Sequence, residues 1–178
     1  PESMIRAFDK HAMRIVHAWG MTETAPLGTV SNLGPETDGW TDDQKYALRA
    51  TQGTPAPFIE LRTMGEKGEA PNDGKTSGEL EVRGAWVAGN YHELPEEKDR
   101  WSPDGWFRTG DVATLDAHGR MRITDRTKDL IKSGGEWISS VDLENILMGH
   151  PLVKEAAVIA VPHPKWAERP LAVVGIGG

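Results

Sequence analysis

Three short stretches of the chain hold residue types suited to a phosphorylated ligand. In Trp19-Gly20-Met21-Thr22-Glu23-Thr24, Gly20 lets the backbone approach a neighbour closely. Thr22 offers a hydroxyl to a phosphate oxygen, and Trp19 offers a flat face to a base. Glu23 offers the hard oxygen that Mg²⁺ takes together with substrate phosphates. Gly105-Trp106-Phe107-Arg108-Thr109-Gly110-Asp111 ends in a carboxylate, whose two acceptor oxygens suit two neighbouring ribose hydroxyls. Asp125-Arg126-Thr127-Lys128-Asp129-Leu130-Ile131-Lys132-Ser133-Gly134-Gly135-Glu136 holds a donor for ribose or phosphate, Arg126. Its double glycine allows unusual φ or the close passage of a ligand chain. Taken singly, each stretch is also an ordinary motif of folded proteins: a polar turn with a packed Trp, an Asp at a strand end, a charged linker.

The elements that must position these residues follow from periodicity and punctuation. Residues 3–12 read as a helix with Ser3 as its cap and Ile5, Phe8 and Ala12 along one side. Residues 14–19 read as a strand stopping at Gly20, so the first cluster lies where a strand gives way to a loop. Thr41-Asp42-Asp43-Gln44 is a capping box, and its helix runs to about Ala50 before Gly53, Pro55 and Pro57. Strands are predicted over 58–62 and 78–83, separated by a loop over 65–76. A hairpin is predicted from 112–115 and 120–124 across Asp116-Ala117-His118-Gly119. This middle region reads as a small barrel or meander. Near residue 125 the pattern changes. Ser139 opens a helix carrying Leu143, Ile146 and Leu147, which Gly149 and Pro151 stop, and residues 156–161 and 171–176 are apolar strand runs. A second small domain therefore begins near 125.

Composition narrows the classes. The 178 residues, 38% apolar and 26% charged, suffice for one full domain or two small ones. They exclude collagen, coiled coil and disordered tail. No apolar run reaches the ~18–20 residues of a membrane span. The N-terminus has neither a basic start nor an apolar signal core, so a cytoplasmic location is expected. Cysteine is absent, which excludes disulfides and thiolate metal sites. Twenty Lys and Arg against 27 Asp and Glu give −7, which argues against nucleic acid as a partner. The six His lack metal-ligand spacing, and no Ser sits in a G-x-S-x-G elbow. Most of the seven Trp read as core or turn residues. The chain starts without Met and ends in Gly175-Ile176-Gly177-Gly178 directly after an apolar run, which reads as a piece of a longer protein.

The three clusters, in this order and with Gly78-Glu79-Leu80-Glu81-Val82-Arg83-Gly84 between the first two, closely resemble the AMP-forming acyl-CoA synthetases of the acyl-adenylating superfamily. The resemblance covers essentially the whole chain. Ser133-Gly134-Gly135-Glu136-Trp137-Ile138-Ser139-Ser140 is most similar to the fatty-acid branch, medium-chain enzymes included. The resemblance implies an α+β chain: residues 1–33 end an α/β subdomain, 34–124 form a small distorted β-barrel subdomain, and 125–178 begin a mobile α+β C-terminal domain. It implies ATP, Mg²⁺ and CoA as cofactors, and a carboxylic acid as substrate. By position, Trp19 with Gly20 and Met21 binds adenine, Thr22 contacts the α-phosphate, and Glu23 helps hold Mg²⁺. Asp111 binds the ribose hydroxyls with help from Arg126. Lys128 is the hinge, and Lys132, Gly134 and Gly135 meet CoA in the second half-reaction, making Thr22, Glu23 and Lys132 the catalytic set. A homodimer is compatible with this reading.

The family's Ser/Thr/Gly-rich phosphate loop does not precede residue 19, and its C-terminal catalytic Lys lies beyond residue 178. The isolated chain is therefore expected to be inactive, and acyl-chain length is not encoded in it. Two rivals remain: a catalytically silent nucleotide-binding or interaction module, and an adenylating enzyme with an acceptor other than CoA, such as a carrier protein. Glu136-Trp137-Ile138 favours CoA.

Overall fold

The computed structural model describes residues 2–177, the side chains of residues 95 and 96 apart. The chain is mixed α and β and divides into two compact units, one of residues 1–109 with 113–123, the other of 110–112 with 124–178.

The first unit opens with α1 (Glu2–Asp9). It is shorter than predicted. Ser3 lies inside it, and Ala12 sits beyond it at φ +56°. Only Ile5 of the predicted stripe is buried, while Phe8 is exposed. The predicted strand over 14–19 contracts to β1 (Ala18–Trp19), which pairs antiparallel with β2 (Thr29–Val30). Between them Thr22–Thr24 forms one 3₁₀ turn. The capping box holds as read: Thr41 Oγ1 accepts from Gln44 N, the Gln44 side chain accepts from Thr41 N, and α2 runs Asp42–Arg49. β3 (Thr54–Pro55) then completes a three-stranded sheet beside β2.

β4 (Ile59–Gly65), β5 (Gly68–Glu69), β6 (Gly78–Gly84), β7 (Phe107–Leu115) and β8 (Met121–Arg126) form a sheet in the order β5-β4-β6-β7-β8. It is open, with β5 and β8 at its edges; the sequence admits a small distorted barrel or a meander, and no closed barrel forms among the described residues. The outer side of β8 is met by the 52–53 backbone: Gln52 N donates to Met121 O, and Met121 N donates to Gly53 O. Gly53 is needed there, since a Cβ would lie 2.1 Å from Val30 O. The period-two pattern of β6 sends Leu80 and Val82 into a core with Trp19, Ile59, Phe107, Leu115 and Met121. Glu81 is also buried, and it is paired: it accepts from Arg62 at 2.6 Å and from Arg108 at 3.3 Å. β7 begins five residues earlier than predicted, so Asp111 lies within a strand rather than at a strand-end turn.

In the second unit, β9 (Ile131–Ser133) and β10 (Glu136–Ile138) form a hairpin across Gly134-Gly135. α3 (Ser140–Met148) follows, capped by Ser139 Oγ accepting from Asp142 N. β11 (Val153–His163) and β12 (Ala167–Ile176) form a long antiparallel hairpin, and the sheet order is β10-β9-β12-β11. The apolar runs extend further than predicted and stay largely exposed: Ile159, Leu171, Val173 and Ile176 all face outward, as does Ile146 of α3. No helix among the described residues is long and apolar enough to cross a membrane.

Candidate functional site

In the first unit the site is built on the chain leaving β1. Gly20 is dictated by its neighbour across the turn, because a Cβ would stand 1.7 Å from Pro26 O. Its small size thus serves a chain crossing. Thr24, fully buried, organises the turn: its hydroxyl donates to Met21 O (3.0 Å) and Pro26 O (2.8 Å), and accepts from Met21 N (2.9 Å). With Thr24 locked inside, the adjoining Thr22 is exposed and Glu23 half-buried.

Trp19 belongs to the core. Its residue is 8% exposed, and its ring lies where a Cβ on Gly28 would clash at 2.3 Å. An open stacking platform, as read from sequence, is therefore not what this ring presents; it packs in the core beside Gly28.

Glu23 has a partner that sequence reasoning missed. Its carboxylate accepts a hydrogen bond from the Tyr91 hydroxyl, and its backbone carbonyl accepts from Ala88 N at 2.8 Å. Sixty-eight residues separate Glu23 from Tyr91, so no local spacing signals the pair. The Tyr91 ring packs edge-on against Trp101, with centroids 5.3 Å apart, and Trp101 packs against the buried Phe107 at 5.0 Å. Burial, then the bond to Glu23, pushes the Tyr91 hydroxyl above its ordinary value, keeping it a donor at neutral pH. No group of three or more His, Cys, Asp or Glu gathers closely enough to hold a metal among the described residues. A cation at Glu23 would thus need phosphate oxygens as further ligands, which is the usual Mg²⁺ arrangement.

In the second unit, Asp111 in β7 and Arg126 at the end of β8 form an ion pair of 3.6 Å. The Asp111 side chain is 15% exposed and that of Arg126 66% exposed, so the cation is the more open half. Gly110, at φ +78°, accepts from Thr127 N at 2.8 Å. Lys128 occupies the third position of the turn 126–129, in which Asp129 N donates to Arg126 O at 3.0 Å. The buried Asp125 was quoted in the third cluster without a role. It ties the start of α3 to the end of β8: Oδ2 accepts from Ser140 N (2.7 Å) and Ser140 Oγ (3.1 Å), and Oδ1 from Arg126 N (2.7 Å).

The double glycine makes a two-residue hairpin turn, Gly134 at φ +62° and Gly135 at φ +86°. Positive φ at both positions is the preferred hairpin geometry. Gly134 is also crowded, since a Cβ would meet the Trp166 ring at 2.7 Å, whereas Gly135 faces open space. Lys132 is exposed opposite Trp137, its ammonium 5.8 Å from the ring centroid, and its backbone N donates to Glu168 at 2.7 Å.

Residues 1–92 match the AMP-binding enzyme family, and residues 142–177 match the AMP-binding enzyme C-terminal domain. The chain is 49% identical to a long-chain-fatty-acid–CoA ligase of Thermus thermophilus over 98% of its length, and 51% identical to a 3-methylmercaptopropionyl-CoA ligase of Ruegeria pomeroyi over 97%. It spans about a third of the length of these curated relatives, 32% in both cases. Among solved structures it is similar to an o-succinylbenzoate CoA synthetase of Bacillus subtilis in complex with its acyl-adenylate intermediate. The TM-score is 0.79 at 27% identity, covering 100% of this chain and 34% of that one. It is also similar to an amide bond synthetase of Marinactinospora thermotolerans, with TM-score 0.77 at 28% identity over 99% of this chain and 34% of that one. Matched over residues 1–92 and 142–177 by the family's two domains, the chain belongs to the AMP-binding enzymes.

Proposed function

We propose that a full-length protein carrying this sequence is an AMP-forming acid–CoA ligase acting on aliphatic carboxylic acids. In the first half-reaction a carboxylate oxygen attacks the α-phosphorus of ATP. The bond to the β-phosphate oxygen breaks, leaving acyl-AMP and pyrophosphate. In the second, CoA thiolate attacks the acyl carbon and AMP leaves with the electron pair. The observation that carries this reading is identity of about half, along nearly the whole chain, to relatives named as fatty-acid and 3-methylmercaptopropionyl CoA ligases.

Each residue then has a task. Asp111 accepts from the ribose hydroxyls, and the exposed Arg126 donates beside it. Trp19, Gly20 and Met21 form the wall and edge against which adenine rests. Thr22 donates to the α-phosphate. Glu23 holds Mg²⁺, which when bound would offset the charge developing on the phosphates. Lys132 and the Gly134-Gly135 backbone meet CoA, and Lys128 is the pivot between half-reactions. The domain boundaries near 33 and 124, a homodimer and a cytoplasmic location belong to the same proposal. Several relatives are named peroxisomal, so fractionation is the test of location.

A second reading, acyl transfer to an amine, draws support from the amide bond synthetase among the structural neighbours. Acid-dependent ATP–pyrophosphate exchange, followed by acceptor competition between CoA and amines, separates the two. Exchange with thioester as the main product supports the ligase. Exchange with amide as the main product favours the second reading, and no exchange with any acid contradicts both.

A further inference from the structure

We propose that Tyr91 is a positioning residue for the Glu23 carboxylate, holding one of its oxygens so that the other would be left to a cation bound together with the nucleotide's phosphates. The inference rests on the ligase reading and adds a residue to its site.

The geometry behind it is a chain of fixed contacts running from the core to the carboxylate. Phe107 is fully buried in the five-stranded sheet. Trp101 packs on it, and the Trp101 indole N–H donates to Ala88 O at 3.0 Å. Ala88 also donates its N–H to Glu23 O at 2.8 Å. Both backbone groups of Ala88 are thus engaged, the N–H by Glu23 and the carbonyl by Trp101, which links the Glu23 backbone to the aromatic cluster. Tyr91 completes the arrangement, with its ring against Trp101 and its hydroxyl donating to Glu23 Oε1. A half-buried carboxylate on a short 3₁₀ turn has free rotation about its side-chain bonds unless something restrains it. The Tyr91 hydroxyl supplies that restraint directly, while Thr24 restrains only the backbone of the turn. Because the hydroxyl is a neutral donor, it orients the carboxylate without cancelling the charge a cation needs. An Arg or Lys in its place would compete with the cation.

Tyr91→Phe in the full-length protein tests this, because it retains the ring on Trp101 and removes only the hydroxyl. A hydrogen bond to a charged group is worth enough to predict a roughly tenfold or larger rise in the Mg²⁺ concentration that half-saturates adenylation. A comparable loss of Mn²⁺ affinity should appear, read by electron paramagnetic resonance with a non-hydrolysable ATP analogue. The carboxylic acid KM and the melting temperature should not move. In a Glu23→Gln background, Tyr91→Phe should add nothing to either metal readout. Unchanged Mg²⁺ and Mn²⁺ dependence in Tyr91→Phe overturns the inference, as does an equal shift in the Glu23→Gln background. If Tyr91→Phe lowers the melting temperature and leaves metal affinity alone, Tyr91 is a packing residue and the inference fails. If Glu23→Gln itself leaves metal dependence intact, the metal role of Glu23 falls first and the positioning role falls with it. The two failures are therefore distinguishable.

Discussion

At the scale of the residue, the contrast between Glu23 and Asp111 is instructive. Both are carboxylates chosen from sequence for nucleotide chemistry. Glu23 is restrained by a neutral donor, whereas Asp111 sits 3.6 Å from a guanidinium that is itself mostly exposed. An arginine so placed keeps its remaining donors toward solvent, where a ribose or phosphate can use them. Asp111→Ala in the full-length protein should raise the ATP KM and slow single-turnover adenylate formation by roughly tenfold or more, from the ~1.5–3 kcal/mol of a charge-assisted bond. Unchanged values of both would remove Asp111 from the site. Asp9 gives a pH prediction of a structural kind. Hydrogen bonds from Arg49, then Tyr46, lower its carboxyl from the ordinary 3.8 to about 2. A depressed carboxylate contributes stability fully above its unfolded value, and that contribution is lost as pH falls through the folded value. The melting temperature of wild type should therefore exceed that of Asp9→Asn by a constant margin above about pH 4, and the margin should close toward about pH 2. A margin that persists at the lowest pH would show that charge is not what joins α1 to α2 there.

At the scale of the element, the double glycine is one feature with two causes. Gly134 needs both positive φ and the absence of a Cβ, because the Trp166 ring occupies the space; Gly135 needs only positive φ. Gly134→Ala should therefore lower the melting temperature more than Gly135→Ala, and it should shift Trp fluorescence as Trp166 is displaced. Gly135→Asn should be nearly neutral, since Asn tolerates the left-handed region. Equal effects of the two alanines would contradict the packing argument. Elements whose signal is local were legible in the sequence: the α2 capping box, the Ser139 cap and the β7–β8 hairpin turn. Elements set by long-range pairing were not. The strand predicted over 14–19 shrank to Ala18–Trp19, which pair with Val30 and Thr29, with one further bond from Ser31 N to His17 O. β7 grew because Phe107 and its neighbours bury against the core, which no turn residue announces. The apolar runs of β11 and β12 were read correctly as strands, but burial is a property of what packs on them, and their outward faces remain exposed.

At the scale of the whole molecule, the order of the motifs carried the family, while the structure gives several motif residues a packing task that the motif alone does not announce. Gly20 serves a crossing chain, Trp19 is core, and Asp125 is a buried tie to α3. Tyr91 and Trp101, which complete the Glu23 site, carried no signal because their relation to it exists only after folding. The central claim is that the full-length protein activates a carboxylic acid by attack of its oxygen on the α-phosphorus of ATP. The most direct measurement supplies the acid with ¹⁸O in its carboxylate, together with ATP and CoA, and weighs the products by mass spectrometry. The account predicts one carboxylate ¹⁸O in the AMP released and none in pyrophosphate. Label appearing in inorganic phosphate or pyrophosphate, or AMP formed without label, would contradict it.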